Sequence, residues 1–270
     1  MAIVTISRGS YIGGIEVAEA LARELGHPCV SREVVLDASQ DSGVDERELQ
    51  STLEDPPRFW EKTPGRMPAH LNLVRTALLR RAQAGDLVYH GLAGHLMLGG
   101  ISHILRVRVI AGAESRIQAL MDYKGMSRKE ATVHLKKLDT QLMKWTLFLY
   151  GVDWQDPSLY DVVLNLDGMS VTDAVSTLAA MTRLPAFQPT DESRKAYDDL
   201  YLSSVVWAAL TKDARTRAAN IRVGADAGAV FITGAAANAG AVNAICEVAQ
   251  RVEGVREVDS QVGVGGNWSW

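Results

Sequence analysis

The feature that most constrains the fold is a glycine-rich turn near the start of the chain. The apolar run Ala2–Ile6 predicts a buried strand, and apolar residues at helical spacing from Ile15 predict a helix that Gly26 ends. Between them, Gly9 and Gly14 have the spacing G-x-x-x-x-G. A turn of this kind between a strand and a helix surrounds an anion such as phosphate with backbone N–H groups and the positive end of the helix dipole.

This turn lacks the rest of the phosphate-loop signature, which continues with Lys and then Ser or Thr. Ile15 and Glu16 stand at those two positions. The ammonium that reaches the terminal phosphates and the hydroxyl that holds Mg²⁺ are therefore missing. Two alternatives stay open: a phosphate-binding turn, or a glycine turn that only packs the helix against the strand.

Strand-like and helix-like segments alternate through the first two thirds of the chain, which predicts an α/β fold with a parallel sheet and helices on both faces. Residues 39–69 are polar and rich in proline, and they predict an irregular surface excursion. The further strands are predicted at Pro28–Val30, Leu87–Tyr89, Ile104–Ile110 and Tyr160–Asn165, and the further helices at His70–Ala84, Ala113–Tyr150 and Val171–Met181.

The order of elements changes after residue 184. Residues 185–196 hold two prolines and four charges and predict a linker, residues 197–262 predict a small α+β domain in the order α-β-β-α-β, and residues 263–270 form a tail. The first helix of the predicted α+β domain is expected at Asp198–Lys212. The predicted domains are therefore 1–184 and 197–262. The short strands of the second leave a sheet edge open to self-pairing, which makes a homo-oligomer an expected partner state.

Composition excludes several classes of protein. The chain has 270 residues, 47% hydrophobic residues and a net charge of −4, so neither disorder nor nonspecific nucleic-acid binding is expected. Cys29 and Cys246 are far apart, no metal-ligand spacing is visible, and no apolar run reaches the length of a membrane span. The N-terminus lacks a basic signal-peptide region, so we expect a cytoplasmic protein with no metal-ligating residues and with buried thiols.

Four segments together resemble the cytidylate kinase-like family, over about residues 1–183. Ile3–Gly26 is similar to its opening, Gly85–Leu98 to its strand ending in G-R-G, Arg106–Asp139 to its sensor strand, helix and lid, and Leu149–Ser170 to its L-Y-D-x-x-x-N strand. The resemblance implies a P-loop nucleoside monophosphate kinase fold. It also implies ATP and a nucleoside monophosphate such as CMP as ligands, with Mg²⁺ as cofactor.

The resemblance also implies site residues. The catalytic positions are Arg116 after the third sheet strand and Asp139 on the lid. Lys137 is a further catalytic candidate because it lies near Asp139 on the predicted lid helix and could partly replace a missing cation; an exposed solvated helix face is the alternative. The nucleotide-binding positions are Ser7, Arg8, Gly9, Ser10, Gly13, Gly14 and Arg32.

The departures from the family are losses of charge. Besides Ile15, Ser31 replaces an acid, Leu92 replaces the arginine of G-R-G, and Leu142 replaces the lid arginine. Phosphoryl transfer depends on such cations. The sequence therefore leaves two hypotheses: a nucleotide-binding kinase, or a catalytically degenerate pseudokinase.

Residues 197–262 resemble a BON domain. Gly228–Gly234 fit its G-x-V-x-L-x-G strand and Val252–Val258 fit its V-x-G-V-x-x-V segment. We expect Gly228 in a hairpin turn and Gly234 at the entry to a helix. The resemblance implies an association or ligand-sensing module, which under the second hypothesis carries the function.

Overall fold

The computed structural model describes residues 2–7, 13–54 and 66–265. Within them the chain forms eight strands and ten helices. The strands are β1 (Ile3–Ser7), β2 (Cys29–Val30), β3 (Leu87–His90), β4 (Ile104–Ile110), β5 (Val162–Asn165), β6 (Asn220–Asp226), β7 (Ala229–Ala236) and β8 (Glu257–Val264). The helices are α1 (Gly13–Leu25), α2 (Glu33–Ser42), α3 (Glu46–Glu54), α4 (Arg66–Ala82), α5 (Gly94–Met97), α6 (Ala113–Lys124), α7 (Arg128–Tyr150), α8 (Val171–Met181), α9 (Asp191–Lys212) and α10 (Ala239–Gln250).

The chain divides into two compact units. In the described part of the first, the sheet has the order β2-β3-β1-β4-β5, and every neighbouring pair is parallel. Alternate residues of β1, such as Val4 and Ile6, join an apolar core with α1 and α8. On the other face α5 begins so close to the sheet that a Cβ on Gly94 would lie 2.5 Å from the Tyr89 ring. The predicted parallel sheet with helices on both faces is confirmed.

The predicted helical stretch Ala113–Tyr150 is two helices. Gly125 ends α6 in the left-handed conformation, at φ +65°. Ser127 then starts α7 with a capping box, in which its side chain accepts a hydrogen bond from the backbone N–H of Glu130 and the Glu130 side chain accepts one in return. This break turns α7 back against α6, where Ile117 and Leu135 share a small core.

In the second unit, the second sheet has the order β6-β7-β8, with β6 and β7 antiparallel and β7 and β8 parallel. Its core includes Leu210 of α9, Ile232 of β7 and Ile245 of α10. The predicted α-β-β-α-β order is confirmed, and Gly228 lies in the β6–β7 turn at φ +91°. Gly234 is not at a helix entry as expected. It pairs with Ile221 inside β7, where a Cβ would lie 2.1 Å from the Asn220 carbonyl oxygen.

Two expectations about the connecting segments are wrong. The stretch predicted as an irregular excursion, residues 39–69, contains the end of α2, all of α3 and the start of α4. In α3 the apolar residues Leu49 and Leu53 lie one helical turn apart and are buried. The helix expected from Asp198 begins at Asp191, so much of the segment predicted as a linker is helical. Most of α2, α3 and α4 belongs to the same compact unit as α9 and the second sheet.

Both cysteines are free and half-buried, whereas the sequence predicted buried thiols. Among the described residues, no helix combines the length and the apolar composition that crossing a membrane requires.

Candidate functional site

β1 ends and α1 begins at the carboxyl end of the parallel sheet, the end at which α/β proteins bind ligands. Ser7 ends β1 and is buried, and Gly13 and Gly14 start α1. Arg8, Gly9 and Ser10 lie outside the described residues. The neighbouring strand β4 places Arg108 opposite Ser7. A cation from β4 therefore lies beside the end of β1.

The Arg108 guanidinium is half-buried, and its Nε–H makes no hydrogen bond with a described residue. Its Nη1 donates to the Gln155 carbonyl at 2.5 Å, and its plane lies over the Trp154 ring at 4.7 Å and near Tyr160 at 5.7 Å. Its Nε is buried without a hydrogen bond to any described residue. Burial lowers the pKa of Arg108, but a guanidinium still stays charged at neutral pH. The site thus holds a partly desolvated cation.

A small cavity of about 30 Å³ lies beside Ser7. Its lining includes Leu92, Leu142, His95 and Thr146. Leu92 and Leu142 are two of the positions at which the sequence comparison found an arginine replaced. The fold brings these two leucines together, so both positions lie at one cavity, beside the polar side chains of His95 and Thr146.

His95 lies at this cavity and is 6% exposed. Its ring centre is 4.6 Å from that of Tyr160, and neither ring nitrogen has a hydrogen bond to a described residue. Burial, with the charges of Arg106 and Arg108, lowers its pKa to about 4. The imidazole is therefore neutral at pH 7, with one donor and one acceptor facing no described partner.

Arg116 and Asp139, which the sequence predicted as catalytic, meet between α6 and α7. Arg116 Nη2 donates to Asp139 Oδ1 at 2.6 Å and to Oδ2 at 2.8 Å. The charges of both residues act on the pKa of Arg108, so the pair lies within electrostatic range of it. Lys137 is exposed on α7, and Arg32 is exposed before α2. The contacts of the Arg108 side chain are with Gln155, Trp154 and Tyr160, and among the described residues they include neither Lys137 nor Arg32.

Sequence reasoning missed Arg108 and His95. In the sequence, Arg106 and Arg108 alternate with the apolar residues of Ile104–Ile110 and so predict only the polar side of a strand, and His95 follows glycines that predict a loop. The signal available was a cation at the carboxyl end of an otherwise apolar strand. The two arginines differ in the fold, because Arg106 donates to both carboxylate oxygens of Asp161, at 2.6 and 3.0 Å.

The Mg²⁺ implied by the resemblance does not fit a set of protein ligands among the described residues. They contain no cluster of three His, Cys, Asp or Glu side chains. Both oxygens of Asp139 accept from Arg116, and both oxygens of Asp161 accept from Arg106. Because Mg²⁺ in phosphoryl-transfer sites is often held largely by substrate phosphates and water, the metal's place depends on the nucleotide.

Comparison with known proteins covers both units. Residues 3–168 match the model of the cytidylate kinase-like family, and residues 198–266 match that of the BON domain. A cytidylate kinase from Pyrobaculum aerophilum is 28% identical over 178 residues, which are 65% of this chain and 89% of the relative. One from Methanopyrus kandleri is 26% identical over 187 residues, with coverages of 66% and 91%. A solved structure of an uncharacterized protein from Eubacterium ventriosum superposes with a TM-score of 0.51 at 17% identity, covering 67% of this chain and 98% of that one.

Proposed function

Because the chain belongs to the cytidylate kinase-like family, we propose that its first unit binds a nucleotide at the carboxyl end of the parallel sheet. The reaction we propose is phosphoryl transfer from ATP to a nucleoside monophosphate such as CMP. Kinases of this family generally use ATP and Mg²⁺. The observation that carries the proposal is Arg108, a half-buried cation opposite Ser7 with a donor that no described residue accepts.

Phosphoryl transfer needs positive charge and N–H donors held around the moving phosphate, with little other chemistry from the protein. Arg108 offers its unused Nε–H, and its stacking on Trp154 restricts the guanidinium. Asp139 holds Arg116 through two hydrogen bonds. The start of α1 adds the positive end of the helix dipole, and we assign Ser7, Gly13 and Gly14 to phosphate contact there.

The remaining predicted residues keep their proposed roles. We assign Arg8, Gly9 and Ser10 to the phosphate turn, and Arg32 to the acceptor nucleotide. Lys137 is the weakest candidate, because its position two residues before Asp139 on a helix directs the two side chains differently. The cytoplasm, where nucleotides are available, stays the predicted location.

The second candidate function is a pseudokinase that binds a nucleotide without turning it over. The specific observation in its favour is that Leu92 and Leu142 line the same cavity beside Ser7. Loss of one positioned cation commonly costs about 10³-fold in rate. In this version the first unit is a scaffold, and the BON domain senses a ligand or assembles the protein.

A coupled assay with CMP, dCMP and UMP in the presence of Mg-ATP separates the two candidates, with thermal shift and calorimetry as the binding readout. We expect nucleotide binding and measurable turnover. Binding without turnover supports the pseudokinase. Neither binding nor turnover would contradict both candidates. Gly13→Val should abolish binding at this site while the far-UV circular dichroism stays unchanged, because the valine crowds the start of α1.

We also propose that the second unit self-associates. In its described sheet, β6 and β8 are the edge strands, and β8 is eight residues long and largely exposed. Sedimentation of the intact protein at micromolar concentration tests this. A monomer there contradicts self-association and leaves the nucleotide proposal intact.

A further inference from the structure

The second unit contains a cavity of about 590 Å³ that shares no lining residue with the candidate site of the first unit. Its walls come from the α2–α3 connection, α3, α4, the end of α9 and the segment that leads into β6. A volume of this size falls within the range of cavities that hold small organic ligands. Nothing in the proposed kinase chemistry uses it.

The acidic groups at this cavity already have partners. Asp45 Oδ1 accepts a hydrogen bond from the backbone N–H of Arg47 at 2.9 Å, at the first turn of α3. Glu48 Oε1 lies 3.8 Å from Nε2 of His70, a side chain that is itself buried and lies 3.3 Å from the Thr52 hydroxyl. These carboxylates are therefore partly committed to the fold.

The cationic side chains at the cavity differ from the carboxylates because they have no partner among the described residues. Lys212 and Arg217 both line it, and neither side chain makes a hydrogen bond or an ion pair with another described residue. They belong to neighbouring parts of one wall, at the end of α9 and just before β6. The cavity therefore holds two cations whose side-chain donors meet no acceptor among the described residues, beside two carboxylates that already accept contacts from the fold.

The same wall contains an aromatic ring. Trp207 of α9 lines the cavity and is half-buried, and the guanidinium carbon of Arg75 lies 6.0 Å from its ring centre. A tryptophan restrained in this way provides a flat apolar surface for a planar ring. Uncommitted cations beside such a ring are the combination that binds a phosphate group attached to a planar ring system.

We propose that this cavity binds a small phosphorylated compound with a flat ring, of the nucleotide class. The phosphate lies at Lys212 and Arg217, and the ring lies against Trp207. The Asp45 carboxylate, which accepts one backbone hydrogen bond, also accepts a hydrogen bond from a ring amino group or from a sugar hydroxyl. This is a binding site and not a catalytic one, and it does not depend on whether the first unit turns over substrate.

Equilibrium dialysis of the full chain with CMP, AMP, ADP and inorganic phosphate as separate probes tests the proposal. The test variant is the double substitution Lys212→Gln and Arg217→Gln. The matched control is Arg194→Gln, which removes a cation from the exposed surface of the same helix, outside the cavity. We expect at least one nucleotide to bind about tenfold or more weakly to the double variant, and the control to bind as the unsubstituted chain does.

Hydrogen exchange locates the site. A nucleotide in the cavity should slow the backbone amides of residues 43–48 and 211–219, and the double substitution should remove that protection. The proposal is overturned when no nucleotide probe shows binding that the double variant weakens. It is also overturned when inorganic phosphate binds as tightly as the nucleotides, because the ring then contributes nothing.

The outcome is distinguishable from that of the kinase proposal. An Arg108→Ala chain should lose affinity in the first unit and keep the protection of residues 211–219. Turnover that survives the double substitution, with one bound nucleotide lost, supports both proposals. One nucleotide per chain that only the double substitution removes supports this cavity and contradicts the site in the first unit.

Discussion

The two sheets of this molecule differ in how many buried polar side-chain atoms lack a hydrogen bond to a described residue. In the three-stranded sheet, Ser260 Oγ is such an atom. At the carboxyl end of the parallel sheet, Thr5 Oγ1, both nitrogens of His95, Arg108 Nε and Trp154 Nε1 are buried without a hydrogen bond to any described residue. The core between α9, α10 and the three-stranded sheet is built from apolar side chains such as Val206, Ile232 and Ile245. Its ion pairs, such as that of Arg215 with Glu247, lie at the surface.

An unsatisfied buried polar group costs about 1–3 kcal/mol, so several of them at one sheet edge are a considerable burden on stability. Folds keep such groups together mainly where a ligand can satisfy them. This difference agrees with the proposal that a ligand binds at the carboxyl end of the parallel sheet, whereas the core under the second sheet is mainly apolar. Three substitutions test that difference.

The largest expected effect is at Arg108. Arg108→Ala should lower nucleotide affinity or turnover by about 10²–10³-fold, equivalent to about 3–4 kcal/mol, because it removes the cation and its unused donor. Steady-state kinetics and calorimetry measure the loss. Arg106→Ala is the control on the same strand, where the guanidinium is committed to Asp161. Equal losses in the two variants would show that the strand's charge, and not the position of Arg108, matters.

The second effect concerns backbone packing in the three-stranded sheet. Gly234→Ala should lower the free energy of unfolding by about 3–4 kcal/mol, since its Cβ meets the Asn220 carbonyl oxygen and φ is +131°. Gly224→Ala on β6 is the matched control, because a Cβ there meets nothing within 4 Å. Urea denaturation of both variants measures the difference. Similar midpoints would refute the close approach of β6 and β7.

The smallest effect is the pH dependence from His95. Its pKa is about 4 in the folded protein and about 6.5 unfolded, so the unfolded chain binds more protons between these values. Stability should therefore fall as pH drops from 6.5 to 4, by at most about 3 kcal/mol from this group.

Urea melts of His95→Gln across that pH range should show a shallower loss than the unsubstituted chain. His134→Gln in the same unit is the control, because that ring is far less buried. An unchanged slope in the His95 variant would mean that the imidazole is not held neutral by the fold.

Much of this architecture followed from local patterns. The strand Ile104–Ile110 and the helix Val171–Met181 were predicted with the bounds that the structure has. The wrong predictions lie in segments where helical spacing of apolar residues occurs within a polar, proline-containing sequence. Polar residues and prolines hid the helical spacing of Leu49 and Leu53, and Asp191 starts a helix that the sequence suggested would begin seven residues later.

The sequence likewise predicted some features of the candidate site and missed others. By resemblance, the sequence assigned Arg116 and Asp139 to two separate positions, and the fold brings their side chains together. It did not predict that Leu92 and Leu142, separated by 50 residues, would line one cavity. Nor did it distinguish Arg108 from Arg106, because strand periodicity puts both on the same face.

By itself, the sequence determined the parallel sheet with helices on both faces and the α-β-β-α-β order of the second domain. These depend on periodicities of two and 3.6 residues and on residues that permit only certain backbone angles, all of which are local. Only the tertiary structure decided which cation faces Ser7, which histidine is held neutral, and which helices wall the cavity with Lys212 and Arg217. Those properties depend on burial and on distances between residues far apart in the chain, and no local pattern specifies them.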